Sequence, residues 1–171
     1  MKTIKIILGI IIVLTVVFLS TGLLIKETKY STEIEVNKPV AEVFADFENP
    51  ELFKKWMPEI KSIETLNEKA GKIGSTYKMV IDNKGETLTM TEKILAYVKN
   101  EKITFNFSSK EMLKTDDFTF TSNGETTKIT QISTLKSNSY LMSCIFPYFK
   151  STLKETSQEY LNRFKKLTEK Q

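Results

Sequence analysis

Apolar and polar residues alternate singly through most of this chain, from Tyr30 to Lys136. In YSTEIEV, Tyr30, Ile34 and Val36 fall on one face, the period of a half-buried strand. TYKMVI repeats it with Tyr77, Met79 and Ile81. TLTMTEKI sets Leu88, Met90, Glu92 and Ile94 against Thr87, Thr89, Thr91 and Lys93. KITFNF alternates Ile103, Phe105 and Phe107, DDFTFTS alternates Phe118 and Phe120, and TKITQISTLK reads as a last long strand. DNKGE and SNGET are turn signals between such runs, so the strands pair as hairpins.

Three stretches change to a helical period. In NKPVAEVFADFEN, Asn37 is placed to cap a helix, Pro39 suits its first turn, and Val40, Val43, Phe44 and Phe47 share a face. PELFKKWM reads as a short second helix bounded by Pro50 and Pro58. Its Phe53 and Trp56 face inward together and its Lys54 and Lys55 face solvent. From Tyr140 to Lys170, Phe149, Leu153, Tyr160, Phe164 and Leu167 form one stripe, with Pro147 starting or kinking the helix. NEKAGKIGS, between PELFKKWM and the next strand, reads as a loop.

The order is thus β-α-α, five to six further antiparallel strands, and a long C-terminal helix: an α+β fold. An antiparallel sheet has one wet and one packed face. The terminal helix is the one element long enough to cover the packed face. A curved sheet wrapped around a helix leaves room between them for an apolar ligand.

The first residues follow neither period. Lys2 and Lys5 precede an uncharged, strongly apolar run from Ile6 to Ile25. As a helix it spans roughly 30 Å, the thickness of a bilayer's hydrocarbon core. FLSTG is a poor signal-peptidase site, and an uncleaved anchor over residues 1–26 is preferred to a cleaved signal. Residues 27–171 then form the folded domain. The lysines on the two sides nearly balance, with Lys26 and Lys29 opposing Lys2 and Lys5. A short basic N-terminus normally stays inside, which places the domain outside the cytoplasmic membrane.

Composition removes several functions. The chain has no histidine and one cysteine, Cys144, so Cys/His zinc sites, Ser-His-Asp or Cys-His catalysis and an intrachain disulfide are all excluded. Cys144 lies in an apolar helical segment and reads as a small buried hydrophobe. Of the net charge of +4, Lys2 and Lys5 supply half, and the one arginine is Arg163. No basic face of the kind that holds nucleic acid is present, and no nucleic-acid partner is expected.

Four stretches resemble one family. VNKPVAEVF, ENPELFKKWMP, GKIGSTYKM and TEKILAYVKNEKITFNF match, in order and spacing, the SRPBCC superfamily of START-like or polyketide-cyclase-like helix-grip proteins. The resemblance covers Tyr30 to about Lys166, and the N-terminal anchor departs from it. It implies a helix-grip fold with a cavity for a hydrophobic ligand or lipid between sheet and C-terminal helix; separately, no cofactor is expected.

The candidate cavity residues are Phe44, Trp56, Tyr77, Met79, Met90, Glu92, Phe105, Phe107, Phe118, Phe120, Gln131, Phe149 and Leu153. Met142 is a further apolar candidate, and Tyr140, like Tyr77, offers a hydroxyl. Glu92 is either a ligand handle and general acid/base, or an inward-leaning carboxylate paired with a lysine; the pairing is preferred. Asp116 shares a face with Phe118 and Phe120 and is a second acid candidate, while Gln131 is a neutral polar group. The function expected is a membrane-anchored binder of a hydrophobic small molecule or lipid. The alternatives are a cyclase- or hydrolase-like enzyme using Glu92 or Asp116, and a protein-interaction module.

Overall fold

The computed structural model describes residues 2–83 and 85–170. After an N-terminal helix α1 (Lys2–Leu24), the chain forms β1 (Thr28–Val36), α2 (Val40–Glu48) and α3 (Pro50–Trp56). Six strands follow: β2 (Ile60–Asn67), β3 (Thr76–Asn83), β4 (Glu86–Val98), β5 (Lys102–Ser108), β6 (Met112–Asn123) and β7 (Thr126–Ser137). A short helix α4 (Tyr140–Ile145), a 3-10 turn (Phe146–Phe149) and the long α5 (Lys150–Thr168) end it. The strands form one antiparallel sheet in the order β1-β7-β6-β5-β4-β3-β2. This is the helix-grip α+β fold expected, with α5 packed along the inner face.

The inward face follows the alternation. β1 buries every second residue from Thr28 to Val36, and β4 buries Met90, Glu92 and Ile94. Register shifts between Ile94 and Ala96, and twice in β2, let the sheet curl. The GKIG turn is tied to the sheet. Gly74 adopts a positive φ of 85°, open to glycine at little cost, and its N–H donates to the Ile94 carbonyl at 2.8 Å.

Sequence and structure part at three places. β2 is a strand where the sequence shows no alternation; only Ile60 of it is buried. The helix predicted from Tyr140 to Lys170 is broken: the chain tightens to a 3-10 turn at Pro147 before α5 begins. Asn37 does not cap α2. The cap position is Pro39, with no side-chain hydrogen bond, and the Asn37 N–H instead donates to Glu169 Oε1 at 2.8 Å.

The interior has two zones. At one end Val36, Val43, Phe44, Phe47, Phe120, Ile129, Leu161 and Phe164 are packed without accessible surface to speak of. Phe47 sits at the centre, its ring centroid 4.9–5.5 Å from those of Trp56, Phe118, Phe120 and Phe164. At the other end, beyond Phe118 and Trp56, the sheet and α5 separate.

Candidate ligand cavity

The gap between sheet and α5 is a cavity of about 410 Å³. That lies within the roughly 300–1,000 Å³ of small-molecule sites. Strand alternation and helix position supply its walls. β3 and β4 contribute Met79, Ile81, Leu88 and Met90, β5 contributes Phe105 and Phe107, and β6 contributes Met112 and Phe118. α3 and the residues after it close one side with Phe53, Trp56, Met57 and Ile60, and α5 adds Leu153 and Tyr160. The methionines Met57, Met79, Met90 and Met112 make the lining adaptable, because the unbranched thioether refits at low cost.

One corner is polar, and it is wired. Thr32 Oγ1 donates to Gln131 Oε1 at 3.2 Å, Gln131 Nε2 to Ser133 Oγ at 3.0 Å, and Ser133 Oγ to Asp116 Oδ1 at 2.6 Å. Lys114 Nζ donates to the other oxygen, Asp116 Oδ2, at 2.8 Å. Beside them, the Tyr30 and Ser157 hydroxyls are 3.2 Å apart and join β1 to α5. The cross-strand register makes the cluster: Tyr30 faces Ser133, Ser133 faces Asp116, and Thr32 faces Gln131. Burial opposes the charge on Lys114, but the adjacent Asp116 carboxylate, with Tyr30, outweighs it and holds the ammonium above its ordinary pKa. Lys114 is therefore a cation, and both oxygens of Asp116 accept hydrogen bonds. A carboxylate so engaged is a poor general base.

At a second edge Glu59 and Tyr160 meet. Burial, and then Glu59, push the Tyr160 hydroxyl up to about 12, with Lys114 and Arg163 pulling the other way. Glu59 Oε2 is buried without a hydrogen-bond partner among the described residues, while Oε1 lies 3.7 Å from Arg163.

The candidates divide three ways. Trp56, Met79, Met90, Phe105, Phe107, Phe118, Gln131 and Leu153 line the cavity, and Asp116 lines it too. Phe44 and Phe120 instead belong to the close-packed zone. Tyr77 packs against the core from the side. Phe149 is a correction: the 3-10 turn swings it away from the stripe of Leu153 and Tyr160, and it is 54 % exposed. Met142 is in α4, off the cavity, and the Tyr140 hydroxyl donates to the Leu19 carbonyl at 2.5 Å.

Glu92 is the second correction. It points inward and is only 6 % exposed, but its carboxyl meets no lysine and makes no hydrogen bond among the described residues. It stands outside the cavity lining, between Tyr77 and Phe107 on the neighbouring strands. Burial alone pushes it up to about 7. Sequence reasoning misses Lys114, Tyr30 and Ser133 as site residues. A signal for Lys114 exists, since it continues the inward series of Asp116, Phe118 and Phe120.

Comparison with known proteins agrees with this architecture. The chain resembles the Zhui aromatase/cyclase from Streptomyces sp. R1128 with a TM-score of 0.70 at 12% identity, over 84% of this chain and 94% of that one. A START superfamily protein from Mycobacterium smegmatis matches with a TM-score of 0.66 at 15% identity, over 81% and 98%. A protein from Thermus thermophilus matches with a TM-score of 0.68 at 13% identity, over 82% and 96%. At such identities these likenesses establish a shared fold and no shared activity. No curated protein matches the chain. The family model described as polyketide cyclase / dehydrase and lipid transport matches residues 27–169. On that match, across nearly the whole region after α1, the chain belongs to this family.

Proposed function

We propose that this protein is a membrane-anchored binder of a hydrophobic small molecule or lipid, and not an enzyme. The observation that carries the reading is the cavity: a methionine- and phenylalanine-lined space under α5, with a hydrogen-bonded polar corner around Lys114 and Asp116. Such a distribution suits an amphiphile with one polar end. The catalytic alternative is weaker. Asp116 is engaged on both oxygens by Ser133 and Lys114, and Glu92 does not border the cavity.

The anchor reading rests on α1. It is 23 residues long, has no buried residue, and is long and apolar enough to cross a membrane. Its last turns are docked on the domain. Phe18 stacks on Tyr148 with centroids 6.1 Å apart, and Thr21 Oγ1 is 2.9 Å from the Tyr148 hydroxyl. The rings of Tyr140, Tyr148 and Phe149 are exposed beside it, and aromatic side chains favour a membrane–water interface. We place the domain on the extracytoplasmic side, following the short basic N-terminus.

The test is native mass spectrometry of the full chain released from nanodiscs. A retained apolar adduct of small-molecule mass supports the reading. Protein that is always bare, even after incubation with total membrane lipid, contradicts it.

A further inference from the structure

We infer that the cavity selects an uncharged oxygen-bearing amphiphile, such as a long-chain alcohol or ester, and rejects the corresponding carboxylic acid, because Lys114 offers its cavity a donor but no unbalanced charge. The inference rests on the ligand-binding reading above and specifies its chemistry.

Among the described residues, four charged side chains line the cavity: Lys114, Asp116, Glu59 and Asp82. Lys114 is the one cation. Its charge is already matched by Asp116 at 2.8 Å. Asp82 is held by Lys61 at 2.8 Å and by the Gly85 N–H at 2.8 Å, and Glu59 leans toward Arg163 at 3.7 Å. The two partners, Lys61 and Arg163, are not part of the wall. A ligand carboxylate entering this space sheds its water and finds three acids and one cation, Lys114, already paired with Asp116. Desolvating an ion is costly unless a free opposite charge compensates it. None is free here.

The same corner does welcome a neutral acceptor. An ammonium has three N–H donors. Asp116 takes one, the Tyr30 hydroxyl is in reach of another, and the Lys114 side chain borders the cavity. Each Asp116 oxygen already accepts one hydrogen bond, Oδ1 from Ser133 and Oδ2 from Lys114. A carbonyl or hydroxyl oxygen is thus the ligand group that the corner leaves unserved. A hydrogen bond from a charged donor exceeds a neutral one. The apolar remainder of the ligand lies against Met79, Met90, Phe105 and Met112.

The test uses the full chain in nanodiscs and two photoreactive probes of equal chain length, a diazirine fatty alcohol and the matching diazirine fatty acid. Crosslinked residues are mapped by mass spectrometry at neutral pH. The expected result is labelling of cavity residues by the alcohol at least about tenfold above the acid, because the acid's carboxylate loses its water without a free cation to compensate it. Equal labelling, or preference for the acid, overturns the inference while leaving the cavity a binding site. Cavity residues labelled by neither probe overturn both readings. A double variant, Lys114→Met with Asp116→Leu, removes both ends of the ion pair, so that neither a charge nor a new donor is left in the corner. Alcohol labelling is expected to fall about tenfold in it. Unchanged alcohol labelling in that variant also overturns the inference, and the probe comparison in the unaltered chain decides the matter even if the variant does not fold.

Discussion

At the scale of residues, Glu92 is the most consequential side chain outside the cavity. Its carboxyl is buried without a partner among the described residues, and burial raises its pKa from 4.5 to about 7. The unfolded chain releases this proton near the ordinary value, whereas the folded chain keeps it longer. Between those two values the folded state binds more protons, so stability falls as pH rises. The full effect is present below about 4.5 and is lost by the time the pH passes about 7. It amounts to about 3 kcal/mol at most. Glu92→Gln should therefore stabilise the protein at pH 8 by about 2–3 kcal/mol and flatten its stability profile between pH 5 and 8. Urea denaturation at a series of pH values checks this, and parallel profiles for the two proteins would count against it. The inward position of Glu92 is legible from its phase with Met90 and Ile94. Its lack of a partner is not, because a strand's period gives the face and says nothing of which lysine can reach it. Lys114 illustrates the converse. Its partner is two residues away on its own strand, so pattern alone places the pair on one face. A lysine on an inward face still reads as unfavourable until the network behind Asp116 is seen.

At the scale of elements, the sequence signal is good wherever one face of an element is buried. β1, β4 and β7 bury alternate residues, and their phases read directly. β2 pairs only with β3 at the edge of the sheet and buries little beyond Ile60, so it carries no alternation to read. Trp56 and Phe53 point inward together while Lys54 and Lys55 remain exposed, as their helical spacing requires. Trp56 contacts Phe47, Phe53 and Phe164 with ring centroids 4.8–5.5 Å away and also borders the cavity, so it serves both zones. The break between α4 and α5 is legible in place, from Pro147, but not in form, because apolar residues recur through it without showing that the chain tightens to a 3-10 turn. The α4 surface is instead engaged by α1. A Cβ on Gly22 would stand 2.5 Å from Cys144 Sγ and 3.2 Å from the Cys144 backbone nitrogen. Gly22→Leu should force α1 off α4 and uncover Cys144, which is fully buried. Maleimide labelling of this lone cysteine in the folded full chain should then rise by about tenfold or more, as expected where a local opening replaces a closed contact. An unchanged labelling rate would mean that α1 does not shield it.

At the scale of the whole molecule, the sheet and α5 enclose an interior whose close-packed end lies at α2 and whose open end carries the cavity, while α1 docks on α4. Fold order is legible because hairpin turns, strand phase and the terminal stripe agree with one another. The cavity itself is not, since inward residues look alike whether they touch each other or line a space. The methionines make the distinction measurable. Met57, Met79, Met90 and Met112 line the cavity, and Met142 lies off it in α4. The most direct measurement is NMR of the full chain in nanodiscs with 13C-methyl-labelled methionine, titrated with a long-chain alcohol. The account predicts saturable shifts and ligand contacts at the Met57, Met79, Met90 and Met112 methyls, with Met142 unmoved. Shifts confined to Met142, with those four methyls still, would contradict it.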